Sequence, residues 1–161
     1  MHLLEIQSEA EWQQLLDKFS AETGMPGAVY DIENNLILTT GERNTVCLDI
    51  RKNDNARATI CSLSQNTLAQ MARKSKLPVT DYCDAGFIKT VIPFFYGNEY
   101  LGGLTVCGDA DPDSQIELPY IAEALNISLE ELEKREVKEN IFDKIEKTAV
   151  KYHQILTVLR I

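Results

Sequence analysis

Four cysteines, Cys47, Cys61, Cys83 and Cys107, carry most of the chemistry available to this 161-residue chain. Their spacings of 14, 22 and 24 residues contain no C-x-x-C pair, so neither a zinc-finger nor a ferredoxin run is present. Thiolates from distant parts of a chain can still converge on a tetrahedral zinc ion or an iron–sulfur cluster. In a reducing compartment, where disulfides are disfavoured, three uses stay open: inert buried thiols, a redox pair, or a set of ligands. A nucleophilic thiol needs a base beside it. The two histidines, His2 and His153, lie at the start and in the tail, and nothing places either near a cysteine. Asp81 and Asp84 flank Cys83, but strand alternation puts Asp81 and Cys83 on one face and Asp84 near a turn. No paired carboxylates stand out, and the chain is expected not to be an enzyme.

Composition narrows the class further. Apolar residues at 44% and charged residues at 25% suit one folded domain with a real core. A net charge of −9 argues against nonspecific nucleic-acid binding, which needs clustered cations facing phosphates. No apolar run reaches the ~18–20 residues of a membrane helix, and the first residues lack a secretory pattern, so a cytoplasmic protein is expected. Residues 109–146 hold 12 acidic against 4 basic side chains, and the last 15 residues hold three basic and no acidic ones. That shift suggests a separately organised C-terminal third.

The elements that must position the cysteines are legible. Ser8 and Glu11 form a capping box ahead of the apolar face Trp12, Leu15, Leu16 and Phe19, with Gly24 and Pro26 as the stop. A helix over about 9–22 follows. Ala28–Ile32 and Leu36–Leu38 flank the turn Glu33-Asn34-Asn35 as a hairpin. From about Val46 to Ser75 the chain is helical, with Ile60, Ser64, Leu68 and Met71 on one face and Pro78 ending it. Strands are predicted at Val79–Cys83, Phe87–Tyr96 and Tyr100–Cys107, the last two joined by Gly97-Asn98. The most apolar of these, Phe87–Tyr96, is expected to be central, with a bulge or an edge at Pro93. Gly102-Gly103 opens space on the sheet for a ligand or a close helix. This order, two hairpins framing helices on one side of an antiparallel sheet, predicts an α+β fold that resembles the PAS/GAF sensory class.

The tail changes pattern. Phe142, Ile145, Ala149, Tyr152, Leu156 and Leu159 recur at intervals of 3, 4, 3, 4 and 3. The seam can pair two copies of the domain over 141–159, or it can pack on the chain's own sheet. The first reading gives a long C-terminal signalling and dimerisation helix at 137–161 after a sensory domain at 1–136. No P-loop, kinase motif or basic recognition helix accompanies it, so the chain is either a piece of a longer protein or recruits an output partner.

The stretch from Val46 to Gly108 resembles the PocR-type sensory domain of prokaryotic signalling proteins. The residues that carry the resemblance are Cys47-Leu48-Asp49-Ile50-Arg51, Cys61-Ser62-Leu63-Ser64, Pro78, Tyr82-Cys83-Asp84-Ala85-Gly86, Ile92-Pro93, Gly97, Leu101-Gly102 and Gly108. The resemblance implies a PAS-like module that binds small hydrocarbon derivatives such as short diols and signals to a kinase or DNA-binding partner. Three family cysteines map onto Cys47, Cys61 and Cys83. Asp84 stands where the family often has histidine, Asp109 replaces a glutamine, and Cys107 is an additional thiol.

These readings meet in one expectation. A pocket lies between a sheet wall of Tyr82, Phe87, Val91, Phe95 and Leu104 and the helical insertion. Cys47, Cys61, Cys83, Tyr82, Asp84 and Phe95 are the candidate ligand contacts. In the alternative, a redox or gas sensor, Cys47, Cys61, Cys83 and Cys107 ligate zinc or an iron–sulfur cluster.

Overall fold

The computed structural model describes residues 1–159; Arg160 and Ile161, the last two residues of the expected tail helix, lie outside the described residues. Five strands form one antiparallel sheet: β1 (Gly27–Asp31), β2 (Leu36–Thr40), β3 (Val79–Tyr82), β4 (Ile88–Tyr96) and β5 (Glu99–Asp109). Their spatial order is β2-β1-β5-β4-β3, so β5 and not β4 occupies the middle. β5 owes that place to its length, because it pairs with β1 through one edge and with nearly all of β4 through the other.

Pro93 pairs with Gly103 on β5, while β3 ends its pairing at Val79 opposite Val91. The proline therefore sits where β4 has lost its outer neighbour, and no ladder hydrogen bond is forfeited. A bulge follows one residue later, between Phe94 and Phe95. Gly102 and Gly103 open space for neither ligand nor helix. A Cβ on Gly102 would collide with the Tyr30 carbonyl oxygen of β1, and one on Gly103 with the Ile92 carbonyl oxygen of β4. Neighbouring strands use the room.

Helices cover both faces of the sheet, where the sequence pattern suggested one. α1 (Glu9–Thr23) begins with the Ser8–Glu11 capping box and ends at left-handed Gly24. With α7 (Phe142–Val158) it covers the face carrying Val29, Ile88, Ile92, Phe94, Leu104 and Val106. Trp12 is fully buried there, edge-on to Phe94 at 5.0 Å, its indole N–H donating to the Leu3 carbonyl at 2.9 Å. On the opposite face lie α2 (Thr45–Lys52), α3 (Asp54–Ala56), a π-helical stretch (Arg57–Ser62) and α4 (Leu63–Ser75). Along α4, Ser64 and Leu68 are buried as expected, but Met71 is 47% exposed and Ala72 takes its inward place. α5 (Leu118–Leu125) and α6 (Leu129–Glu133) close the same side.

The heptad seam of the tail is spent on the chain's own core. Ile145, Ala149, Tyr152 and Leu156 are buried in the cluster with α1 and β4, and Phe142 and Leu159 pack against it. The sheet needs a second cover beside α1 on that face, and an apolar stripe a hundred degrees wide supplies it. The seam is thus not available to a second copy while α7 lies on the sheet. Residues 137–141 are not helical; Glu139 bridges Ala110, and the Asn140 amide donates to the Thr23 carbonyl and to Asp109, tying the entry of α7 to the end of α1.

Candidate functional site

All four cysteines line a single cavity between the sheet and the helical insertion. Cys47 is fixed first. Asn44 caps α2, its side-chain oxygen accepting from the Cys47 N–H at 2.8 Å, while its amide donates to the Gly108 carbonyl at 2.6 Å. One side chain therefore starts the helix and clamps it to the end of β5. Gly108 has a φ of 121°, and a Cβ there would stand 3.8 Å from the Cys47 sulfur. Cys107 precedes it on β5, directly across the ladder from Lys89 on β4. Pairing residues share a face, so both side chains point to the insertion.

Cys83 sits in the turn from β3 to β4. Its N–H donates to the Phe87 carbonyl and the Gly86 N–H donates to the Cys83 carbonyl, each at 2.8 Å. Cys61 comes from the π-helical stretch. Ser64, one turn on, joins these two parts: its hydroxyl donates to the Ile60 carbonyl at 2.7 Å and accepts from the Asp84 N–H at 2.9 Å.

Three of the thiols are shifted toward the neutral form. Burial pushes Cys83 up to about 11 and raises Cys47 still further, and the neighbouring Cys107 sulfur adds to the effect on both. Burial also raises Cys61, partly opposed by Arg51, Lys89 and Arg43. Those three cations line the cavity with Ile50, Ile60, Ala85 and Phe87, and no carboxylate does. Lys89 is only 4% exposed. A lysine held so far from water is unusual without a charged partner. The free volume is about 30 Å³, far below the roughly 300–1,000 Å³ of ordinary ligand pockets.

Three of the six expected ligand contacts stand elsewhere. Tyr82 pairs with Ile88 and so faces α7, where its ring lies 5.4 Å from Phe142 and its hydroxyl donates to Asp111. Strand alternation sends it to the face opposite Cys83's cavity. Asp84 is exposed in the turn and reaches the site only through its backbone. Phe95 is on the insertion side of β4 but six residues beyond Lys89, roughly 20 Å along the strand, against Tyr100 and Lys76. Of the proposed wall, Phe87 lines the cavity; Leu104 belongs to the core on the other face, and Val91 packs under α4. Arg43, Arg51 and Lys89 were not among the expected site residues. The signal for Lys89 was present: a lone cation between Ile88 and Thr90 in the most apolar strand.

Neutral thiols are weak nucleophiles and poor ligands until deprotonated. Neither histidine lines the cavity. Among the described residues, no group of three or more His, Cys, Asp or Glu side chains is arranged to hold a metal ion. A zinc ion with Zn–S bonds near 2.3 Å would need its sulfurs roughly 4 Å apart.

The family model for the sensory domain found in PocR matches residues 5–159. The chain belongs to this family. The PocR match runs from α1 through α7, so both covers of the sheet fall within it. No curated protein and no solved structure matched the chain. Membership makes this a sensory domain of ligand-linked signalling, and the PocR fold here is the expected α+β sheet with helices and a long C-terminal helix. Among the described residues no helix is long and apolar enough to cross a membrane.

Proposed function

We propose that this domain senses a small molecule by admitting it to the four-thiol cavity under α2 and the π-helical stretch. The observation that supports the reading is the convergence of Cys47, Cys61, Cys83 and Cys107 on one cavity beside Arg43, Arg51 and Lys89. Apolar walls with a few fixed polar groups are what a small-ligand site requires. At about 30 Å³ the void is an order of magnitude smaller than an ordinary small-ligand site, so a ligand of four or five heavy atoms must widen it. Ligand and closed state therefore exclude one another, and binding shifts the population toward an expanded form.

The π-helical stretch is the part suited to yield. Such stretches are rare, sit as single-turn bulges within α-helices and recur at functional sites. Movement there reaches the sheet through Lys89 and Cys107, and α7 lies against the reverse side of the same strand. The proposed output is a change in how α7 sits on β4, read by a kinase or DNA-binding partner. The test uses 1,2-propanediol as the probe, titrated by calorimetry into the wild type and into Cys47→Ser, Cys61→Ser and Cys83→Ser. Binding lost in the variants, with circular dichroism unchanged, supports the site. Full retention in all three removes it.

A second reading has one observation in its favour. Three cations and no carboxylate around four sulfurs suit the negative charge of a tetrathiolate iron–sulfur or zinc centre. The sulfurs would first have to close in, because among the described residues no three such side chains are arranged to hold a metal ion. Iron, zinc and sulfide analysis of protein prepared without oxygen decides it; metal-free protein titrating four thiols ends this reading.

A further inference from the structure

Lys89 is a buried cation without a counter-charge. It is 4% exposed and lines the four-thiol cavity. On β4 it stands between Cys107 of β5 and Asp81 of β3, its partners in the two ladders. Asp81 does not neutralise it. That residue is exposed, its carboxylate accepts from the N–H of its own neighbour Tyr82 at 2.8 Å, and it forms no ion pair with the lysine. Asp84 is exposed too and meets the site through its backbone N–H alone. Among the described residues Lys89 makes no hydrogen bond and no ion pair, and no carboxylate lines the cavity.

Taking an ammonium group out of water is costly unless an opposite charge meets it, so buried lysines are nearly always paired. The charge of Lys89 is felt at both Cys61 and Cys83, so the ammonium is turned into the cavity. Its neighbours deepen the imbalance. Arg43 and Arg51 line the same void, and Arg51 is met by the Tyr30 hydroxyl rather than by an acid. The rest of the wall includes Ile50, Ile60, Ala85 and Phe87, which offer hydrocarbon. One part of the cavity is cationic, another is apolar, and a negative charge is missing.

We propose that the ligand of the four-thiol cavity is a short-chain carboxylate, its charged end on Lys89, Arg43 and Arg51 and its hydrocarbon tail against Ile60 and Phe87. That assignment rests on the reading of the cavity as a small-molecule site and gives the class of molecule it takes. Guanidinium forks match a planar carboxylate in geometry and charge, and the ammonium adds a point charge. Phosphate brings negative charge but nothing to cover the hydrocarbon wall. A neutral molecule of the same size covers the wall and leaves Lys89 unpaired, so it binds more weakly than the acid.

The test is calorimetric titration of the full chain with acetate, propionate and butyrate, each against its own amide, a neutral molecule of nearly the same shape, and against inorganic phosphate. At least one acid is expected to bind about tenfold or more tightly than its amide, the worth of one hydrogen bond to a charged group. Lys89→Met keeps the length of the side chain and removes its charge. It should bring that acid down to the level of the amide, leave the amide unchanged, and raise the melting temperature of the free protein, because the unpaired charge is gone. Arg43→Gln, at a half-buried position, should weaken the acid and spare the amide. Three silent acids, an amide bound as tightly as its acid, phosphate bound as tightly as the acid, or an acid preference that survives Lys89→Met would each overturn the proposal. The cavity reading fails on a different result, diol binding that all three thiol variants retain.

Discussion

Asn44 is the side chain on which the cavity's geometry turns, and its removal has a size that can be worked out. It makes two hydrogen bonds with separate partners: its oxygen caps α2 at the Cys47 N–H, and its amide reaches the Gly108 carbonyl of β5. Loss of an N-cap costs about 1 kcal/mol. Loss of the Gly108 bond leaves a partly buried carbonyl without its donor, at about another 1 kcal/mol. Asn44→Ala should therefore cost about 2 kcal/mol. In a chain of this length that lowers Tm by about 4–8 °C in scanning calorimetry. Asn44→Asp keeps the capping oxygen and loses the donor, so about half the drop is expected. Because the clamp holds Cys47 against Cys107, both variants should also speed labelling of the thiols by a disulfide reagent. An Asn44→Ala protein melting within about 1 °C of wild type, its thiols no more reactive, would refute the idea that this residue joins α2 to the sheet.

Two further outcomes follow from buried groups. Leu156 is fully buried between α7 and the sheet, so Leu156→Ala should cost about 2–5 kcal/mol in urea unfolding and leave the sedimentation coefficient unchanged; loss of a dimer at unchanged stability would return the seam to an intermolecular role. Burial raises the thiols of Cys83, to about 11, and of Cys47, so the folded state holds their protons where the unfolded chain, with thiols near 8.5, releases them. Their contribution is complete below about pH 8.5 and is lost as pH rises through 11. Stability measured in reductant should fall between pH 8 and 10.5, and an equal fall in Cys47→Ser/Cys83→Ser would refute the assignment.

Local signals in the sequence were sufficient for most of the elements. The Ser8–Glu11 box and the 3.6-residue stripe after it place α1 to within a residue at either end. Gly97-Asn98 places the turn between β4 and β5. What local signals do not contain is neighbourhood. The apolar run in β4 reflects burial on both faces, which β4 shares with β5, so apolarity alone chose the wrong strand as the middle one. The seam of α7 reads the same whether the surface it meets is its own sheet or a second copy; only the uncovered area beside α1 decides. Tyr82 and Cys83 are adjacent in sequence, and a strand sends adjacent side chains to opposite faces. The pleat therefore keeps them from being contacts of one pocket. Lys89 is the exception within an apolar run, and that exception is the informative residue.

The placement of the thiols bears on how a signal could leave the site. Interiors are packed as densely as organic crystals, so a void of about 30 Å³ cannot grow without displacing a wall. The sheet wall resists: Lys89 and Cys107 stand on adjacent paired strands, with Thr105 further tied to the Thr90 carbonyl at 2.8 Å. The turn at Cys83 is braced from α4 by Ser64, and α2 is braced from β5 by Asn44. Between those two braces lies the π-helical stretch, continuous with right-handed helical residues at Ala56 and Leu63. On the proposed reading, a ligand that widens the void displaces the stretch between the braces, which brings Cys61 to the cavity wall, and the sheet with α7 on its reverse face feels that displacement.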